Sequence, residues 1–211
     1  MTTEYSTALI VGSGSGLSAS LTRLLAREGF KVALAARNIE KLASLCESTG
    51  ATAYACDATD AAQVAQLFQD VEHKVGAPDV VIYNASARAR GPFVSLVASE
   101  VEQAIRVSAF GGFLVAQEAA RRMLTKGHGA ILFTGASASV KGYAQSAPFA
   151  MGKFALRGLA QSMARELAPL GIHVAHFIID GGIRNPGRGE APENPDSMLD
   201  PDAIAGNYLH V

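Results

Sequence analysis

Between the apolar run Ala8–Val11 and the amphipathic stretch Leu17–Arg27 lies Gly12-Ser13-Gly14-Ser15-Gly16, with Leu17 and Ser18 opening the second segment. No other feature restricts the chain so strongly. Glycine adopts backbone conformations closed to other residues, so the chain can turn sharply and bring its amides close to a bound group. A helix that starts directly after the turn adds the positive end of its dipole, which suits a pyrophosphate. A glycine cluster alone is a weak sign. One set between a strand and a helix is a strong one.

The alternation continues along the chain. Apolar runs suited to strands occur at Lys31–Ala35, Thr52–Ala55, Val80–Tyr83, Ala130–Thr134 and His173–Ile179. Stretches with helical spacing lie at Ile39–Ser48, Ala61–Lys74, Ser99–Leu124 and Pro148–Leu167. Val80-Val81-Ile82-Tyr83 is apolar throughout, as expected of a strand covered on both faces. Strands alternating with helices predict parallel strands joined by right-handed crossovers. The expected fold is a single doubly wound, Rossmann-type α/β domain over residues 1–211, its mostly parallel sheet flanked by helices. The 211 residues suffice for one such core, and 49% hydrophobic with 18% charged residues is ordinary globular composition.

Composition also excludes. A net charge of −1 provides no basic field for nucleic acid or an anionic membrane. No run reaches the roughly 18 apolar residues of a membrane span. The start, MTTEYSTALIVG, has no charged region followed by a long apolar one, as a secretion signal would. A soluble cytoplasmic protein without nucleic-acid or membrane partners is expected. Cys46 and Cys56 have no metal-binding spacing and read as reduced thiols, so no metal site is expected.

The spacing Gly12-x-x-x-Gly16-x-Ser18 resembles the phosphate loop of the short-chain dehydrogenase/reductase family, Gly-x-x-x-Gly-x-Gly, with Ser18 in the last glycine's place. The resemblance covers roughly residues 6–185, with a weaker echo at Leu199–Leu209. It implies a nicotinamide dinucleotide held by Gly12, Ser13, Ser15, Gly16 and Leu17. The second strand ends in Ala36-Arg37, where NAD-preferring folds carry an acid for the ribose hydroxyl. An arginine there can pair with a 2′-phosphate, so NADP(H) is expected over NAD(H). The resemblance sets Asp57 and Ala58 at the adenine. Asp57 also suits the N-cap region of the next helix, as do Thr59 and Asp60. Asn84-Ala85-Ser86 stands where the family has Asn-Ala-Gly, so Asn84 and Ala85 should line the cleft. Lys153 is expected at the nicotinamide ribose, and Gly182 and Ile183 near the carboxamide.

Family members deliver a proton to the substrate carbonyl from the tyrosine of Tyr-x-x-x-Lys. A serine thirteen residues earlier and an asparagine on the preceding long helix assist. A tyrosine and lysine four apart share a helix face, so both reach one site. This chain keeps Lys153 but has Phe149 at the tyrosine position, Ala136 at the serine position and Ser108 at the asparagine position. The resemblance therefore implies an oxidoreductase acting on a carbonyl, an alcohol or an activated double bond with a non-standard proton donor. The alternative is an NADP(H)-binding sensor or regulatory pseudoenzyme without turnover. Ser137, beside the vacant serine position, and Tyr143, on the connecting loop, are candidate donors, though Tyr143 reads first as a packed loop residue. His173 and His176 read as strand residues rather than catalysts.

Residues 184–201, RNPGRGEAPENPDSMLDP, read equally as a flap over the site and as a surface loop. In the family, helices equivalent to Ser99–Leu124 and Pro148–Leu167 pair across a two-fold axis. A homodimer or higher homo-oligomer with a small-molecule substrate is expected. Family members continue into a seventh strand, whereas this sequence ends at Val211.

Overall fold

A computed structural model of the chain describes residues 5–187 and 197–211. Six strands form one sheet in the order β3-β2-β1-β4-β5-β6. They are β1 (Thr7–Val11), β2 (Lys31–Ala36), β3 (Thr52–Ala55), β4 (Val80–Tyr83), β5 (Gly129–Thr134) and β6 (Ile172–Phe177), and every pairing is parallel. Each expected strand is present, but β6 starts at Ile172 and stops at Phe177 rather than Ile179.

The helices are α1 (Leu17–Arg27), α2 (Ala43–Thr49), α3 (Ala61–Lys74), α4 (Ala98–Ile105), α5 (Gly111–Lys126), α6 (Ala147–Leu167) and α7 (Pro201–Tyr208). Two expected helices differ in detail. The stretch Ile39–Ser48 becomes a 3₁₀ turn at Glu40–Leu42 followed by α2. The stretch Ser99–Leu124 is widened between α4 and α5 by a π-turn at Arg106–Phe110. A π-turn removes carbonyls from the α-helical ladder. The Tyr83 hydroxyl meets one of them, donating to the Val107 carbonyl at 2.5 Å. Gly111 makes this approach possible, because a Cβ there would lie 2.5 Å from the Tyr83 oxygen. Apolar periodicity runs unbroken across the turn, so the sequence pattern does not reveal it.

Side chains alternate along the strands, and the central strands β2, β1, β4 and β5 are covered on both faces. Leu9, Val81 and Ile131 pack on one side with Phe68, Val115 and Leu156. Ile10, Ile82 and Leu132 pack on the other with Leu21, Leu34 and Tyr208. Each such side chain, once buried, contributes about 1.5–3 kcal/mol. This two-sided burial accounts for the continuous apolar runs.

A short parallel pair, β7 (Gly182–Ile183) and β8 (Met198–Leu199), was not expected. It is reinforced by Arg184, whose backbone N–H donates to the Leu199 carbonyl at 3.0 Å. The pair draws together the two flanks of the expected flap at 184–201, whose residues 188–196 lie outside the described residues.

Candidate functional site

The loops that follow the strands converge at the carboxyl end of the sheet, where ligands bind in open α/β folds. Gly12 has φ +90°, and a Cβ there would lie 2.3 Å from the Ala85 backbone nitrogen. Only glycine lets the loop after β1 touch the loop after β4. The hydroxyl of Ser18 donates to the Gly12 carbonyl at 3.0 Å. The Asn84 amide donates to that hydroxyl at 2.7 Å and to the Gly12 carbonyl at 3.3 Å. Ser18 thus laces the glycine loop to the end of β4. No side chain caps the N-terminus of α1 at Gly16, so its amides face the loop without a side-chain acceptor.

Two cavities meet here and share Asn84 and Ser86 in their linings. The first, about 310 Å³, is lined by Gly12, Ser13, Arg37, Asp57, Ala58, Asn84 and Ala85 of the expected set. The second, about 260 Å³, is lined by Gly16, Leu17, Asn84, Lys153, Gly182 and Ile183 of that set, and also by Ala136 and Phe149. The sequence-derived residues therefore gather into one cleft, apart from three. Ser15 lies exposed on the loop and lines neither cavity. Ser137 opens a 3₁₀ turn, where its N–H donates to the Ile179 carbonyl, and it lines neither cavity. Tyr143 is also outside both linings, 44% exposed with the Lys141 ammonium over its ring.

The alternatives for Asp57 separate. Asp60, not Asp57, caps α3, accepting from the Ala62 and Gln63 backbone amides. The Asp57 carboxylate accepts instead from the Thr59 amide and hydroxyl at 2.9 and 2.8 Å while lining the first cavity. Ser108 is fully buried within the π-turn, its hydroxyl within 3.3 Å of the Ala87 nitrogen and 3.4 Å of the Ala87 carbonyl.

Sequence reasoning missed Lys41 and Arg88. Lys41, on the 3₁₀ turn after β2, lines the first cavity with Arg37. Its spacing of four from Arg37 was the available signal. Arg88 lines the second cavity and stacks its guanidinium 4.0 Å from the centre of the Phe149 ring. Lys153 lies 5.8 Å from the same ring centre. It is 2% exposed, and its ammonium donates to the Thr134 carbonyl at 2.7 Å. Burial, and then the charge of Arg88, push its pKa down from 10.5 to about 8. His176 stands behind it, with Nε2 3.4 Å from the Ser139 hydroxyl. Burial, Lys153 and Arg157 depress its pKa to about 4.

Comparison with known proteins places this geometry. The sequence profile of the short chain dehydrogenases matches residues 6–194. The chain belongs to the short-chain dehydrogenase family. A short chain aldehyde dehydrogenase of Euphorbia lathyris is 30% identical over 177 residues, 81% of this chain and 62% of that protein. A 3-oxoacyl-(acyl-carrier-protein) reductase of Mycobacterium avium is 29% identical over 83% of this chain and 66% of its own length. This chain thus spans a little under two thirds of each of these relatives. A crystal structure of a short-chain dehydrogenase from Rhodopseudomonas palustris is 34% identical, covers 99% of this chain and 92% of its own, and superposes with a TM-score of 0.82. The short-chain dehydrogenases are NAD(P)(H)-binding oxidoreductases, and the six-stranded parallel sheet here is theirs. Among the described residues no helix is long and apolar enough to cross a membrane, and no cluster of three or more His, Cys, Asp or Glu could hold a metal ion.

Proposed function

We propose that this short-chain dehydrogenase binds NADP(H) and is an oxidoreductase that works without the family's tyrosine. The observation that carries this reading is the single cleft formed by two cavities joined at Asn84 and Ser86. A dinucleotide fits the residues present. The uncapped start of α1 and the loop from Gly12 to Gly16 would hold the pyrophosphate. Asp57 and Ala58 would border the adenine, and Lys153, Gly182 and Ile183 the nicotinamide end. Ser15, on the exposed part of the loop, would contribute through its backbone only.

NADP(H) is favoured because Ala36 offers no acid at the end of β2, while Arg37 and Lys41 line the same cavity. Two cations suit a 2′-phosphate, and an arginine fork pairs with its oxygens.

When bound, the reduced cofactor supplies a hydride to the substrate. The chain must provide the proton. Phe149 has none to give, and Ala136 offers no hydroxyl to the substrate oxygen. Ser137 and Tyr143 lie outside the lining. Lys153 lies in it, and with a pKa of about 8 its ammonium can release a proton near neutral pH. We assign Lys153 as the proton donor. The second reading, a cofactor-holding sensor without turnover, draws on Phe149 and Ala136 at the tyrosine and serine positions.

Calorimetric titration with NADPH and NADH tests the cofactor. NADPH should bind more tightly, and the double variant Arg37→Ala/Lys41→Ala should lose about 10- to 100-fold for NADPH with little change for NADH. Equal affinities would sink the NADP(H) assignment. Oxidation of NADPH with carbonyls, enones or imines would establish the oxidoreductase. Tight binding with no turnover across such substrates would establish the sensor. The reduced thiols Cys46 and Cys56 suit a cytoplasmic setting. The exposed Phe110, Phe113, Met151 and Phe154 on and beside α5 and α6 suit a homodimer, which light scattering at micromolar concentration would check.

A further inference from the structure

Among the described residues Lys153 is the only buried cation, 2% exposed. Its ammonium donates to a neutral acceptor, the Thr134 carbonyl. No described carboxylate pairs with it, and no described Asp or Glu lines the second cavity. Lys126, at the other end of the sheet, is paired with Asp79. A tyrosine at position 149 can ionise and share the charge of a nearby lysine. Phe149 cannot, and its ring centre lies 5.8 Å from the Lys153 ammonium. The cavity wall thus carries a buried positive charge that no acid among the described residues offsets.

We propose that Lys153 makes the site selective for the oxidation state of the cofactor, holding neutral NADPH more tightly than NADP⁺. This rests on the NADP(H)-binding reading above, which sets the nicotinamide end beside Lys153. The oxidised nicotinamide ring is a pyridinium cation, whereas the reduced ring is neutral. Like charges brought together beside a buried group repel, and each disfavours the charged form of the other. The rest of the dinucleotide is the same in both forms and adds nothing to the difference. The site keeps its reduced ligand and releases the oxidised one, which suits a reductase and equally a sensor of the reduced pool.

The preference depends on pH, because only the ammonium repels. The groups that face Lys153 are the Thr134 carbonyl from β5, Arg88 from the loop after β4 and His176 from β6, with Arg157 of α6 acting on His176. The π-turn adds the neutral hydroxyl of Ser108, against Gly152. Arginines do not titrate below pH 10. His176, with a pKa of about 4, is neutral above pH 6. Lys153, with a pKa of about 8, is the group that changes charge between pH 6.5 and pH 9.5.

The test is calorimetry with NADPH and NADP⁺ at pH 6.5 and pH 9.5. At pH 6.5 NADPH should bind about 10-fold more tightly, the equivalent of roughly one pKa unit on Lys153. At pH 9.5 the two affinities should agree within about twofold, since a neutral amine does not repel. Titration of the 2′-phosphate affects both forms alike and leaves their ratio unchanged. By reciprocity, NADP⁺ binding near pH 8 should release more protons than NADPH binding, read from two buffers of different ionisation heat. Lys153→Met should show the small ratio at both pH values, and Lys153→Arg, whose charge persists, the large one at both. A contact from Lys153 to the ribose, lost in Lys153→Met, weakens both forms equally and drops out of the ratio. Thermal unfolding establishes that the variants fold, and the pH dependence of the parent protein is decisive without them. Three outcomes overturn the proposal: equal or reversed affinities at pH 6.5, a ratio that does not change with pH, or a preference retained in Lys153→Met. Each leaves the cofactor assignment standing. Failure to bind either form overturns both.

Discussion

The two ends of the sheet treat a buried charge in opposite ways. At the amino end, Asp79 accepts from the Ser6 and Thr7 amides at 2.9 and 3.1 Å and from the Thr7 hydroxyl at 2.9 Å, and it pairs with Lys126. Burial alone would raise its pKa. The hydrogen bonds from Lys126, Ser6 and Thr7 outweigh that and bring it down to about 2. At the carboxyl end, Lys153 donates to a carbonyl and faces Arg88. Burial and that second cation lower its pKa to about 8. The acid is held where its charge is stabilised, and the lysine where its charge costs free energy. A charged group kept at a cost in a cleft points to chemistry, whereas a fully satisfied one points to stability.

The comparison is easiest to break at Asp79. Asp79→Ala leaves the Lys126 ammonium and the β1 amides without their acceptor and should cost about 3 kcal/mol, near 6–12 °C in melting temperature. The affinity of the folded protein for NADPH should not move. A depressed carboxylate pKa contributes stability that is present above 3.8 and lost as pH falls through about 2. The variant should therefore show a shallower loss of stability between pH 4 and pH 2. If Asp79→Ala weakened NADPH as strongly as it weakened the fold, the two ends would not be separable.

Replacing Lys153 should change stability at pH 7 in the opposite sense to replacing Asp79, although both groups make stability rise with pH in their own ranges. Its pKa is depressed below 10.5, so between about pH 8 and 10.5 the unfolded chain binds more protons and stability rises with pH. Lys153→Met should remove that rise. At pH 7 it should gain about 2 kcal/mol, the relief of a charged group less the lost Thr134 hydrogen bond. It should also abolish any turnover. Urea unfolding at pH 7 and pH 9.5 reads both effects, and a variant less stable than the parent at pH 7 would refute the costly-cation account.

The fold was almost entirely legible in the sequence. Parallel strands buried on both faces leave uninterrupted apolar runs, and Val80–Tyr83 needed no further context. The glycine loop located the cleft. Side-chain direction was less legible. Ser137 and Tyr143 lie near Ala136 and Phe149 in sequence, but a turn at Ser137–Ser139 and an exposed loop decide where their hydroxyls lie. Arg88 lies just past Asn84-Ala85-Ser86 in a stretch that carries no motif, and only the tertiary fold brings it over Phe149 in α6. The π-turn at Arg106–Phe110 depends on Tyr83, more than twenty residues away in sequence, and local periodicity carries no trace of it.

Ser18 gives a smaller effect that sharpens the contrast. Ser18→Gly removes the hydroxyl that joins Gly12 to Asn84 and adds a flexible residue to the first turn of α1. About 1 kcal/mol of stability should go, with a few-fold loss of NADPH affinity, because the laced loop is part of the cleft. Unlike Asp79→Ala, this variant should lose stability and cofactor affinity together. A loss of stability with unchanged affinity would place Ser18 with Asp79 as purely structural.

The smallest expected effects belong to Ser137→Ala and Tyr143→Phe. Neither residue lines the cleft, and Tyr143 is 44% exposed, so each substitution should change stability by no more than about 0.5 kcal/mol. Turnover, once a substrate is known, should stay within about twofold, because removing a general acid would instead cost roughly 10²–10⁴ in rate. That gap makes the pair a sharp control on Lys153. If either variant lost turnover on that larger scale with NADPH affinity intact, the proton would come from a loop that closes over the cleft. The cation at the carboxyl end would then be a cofactor ligand alone.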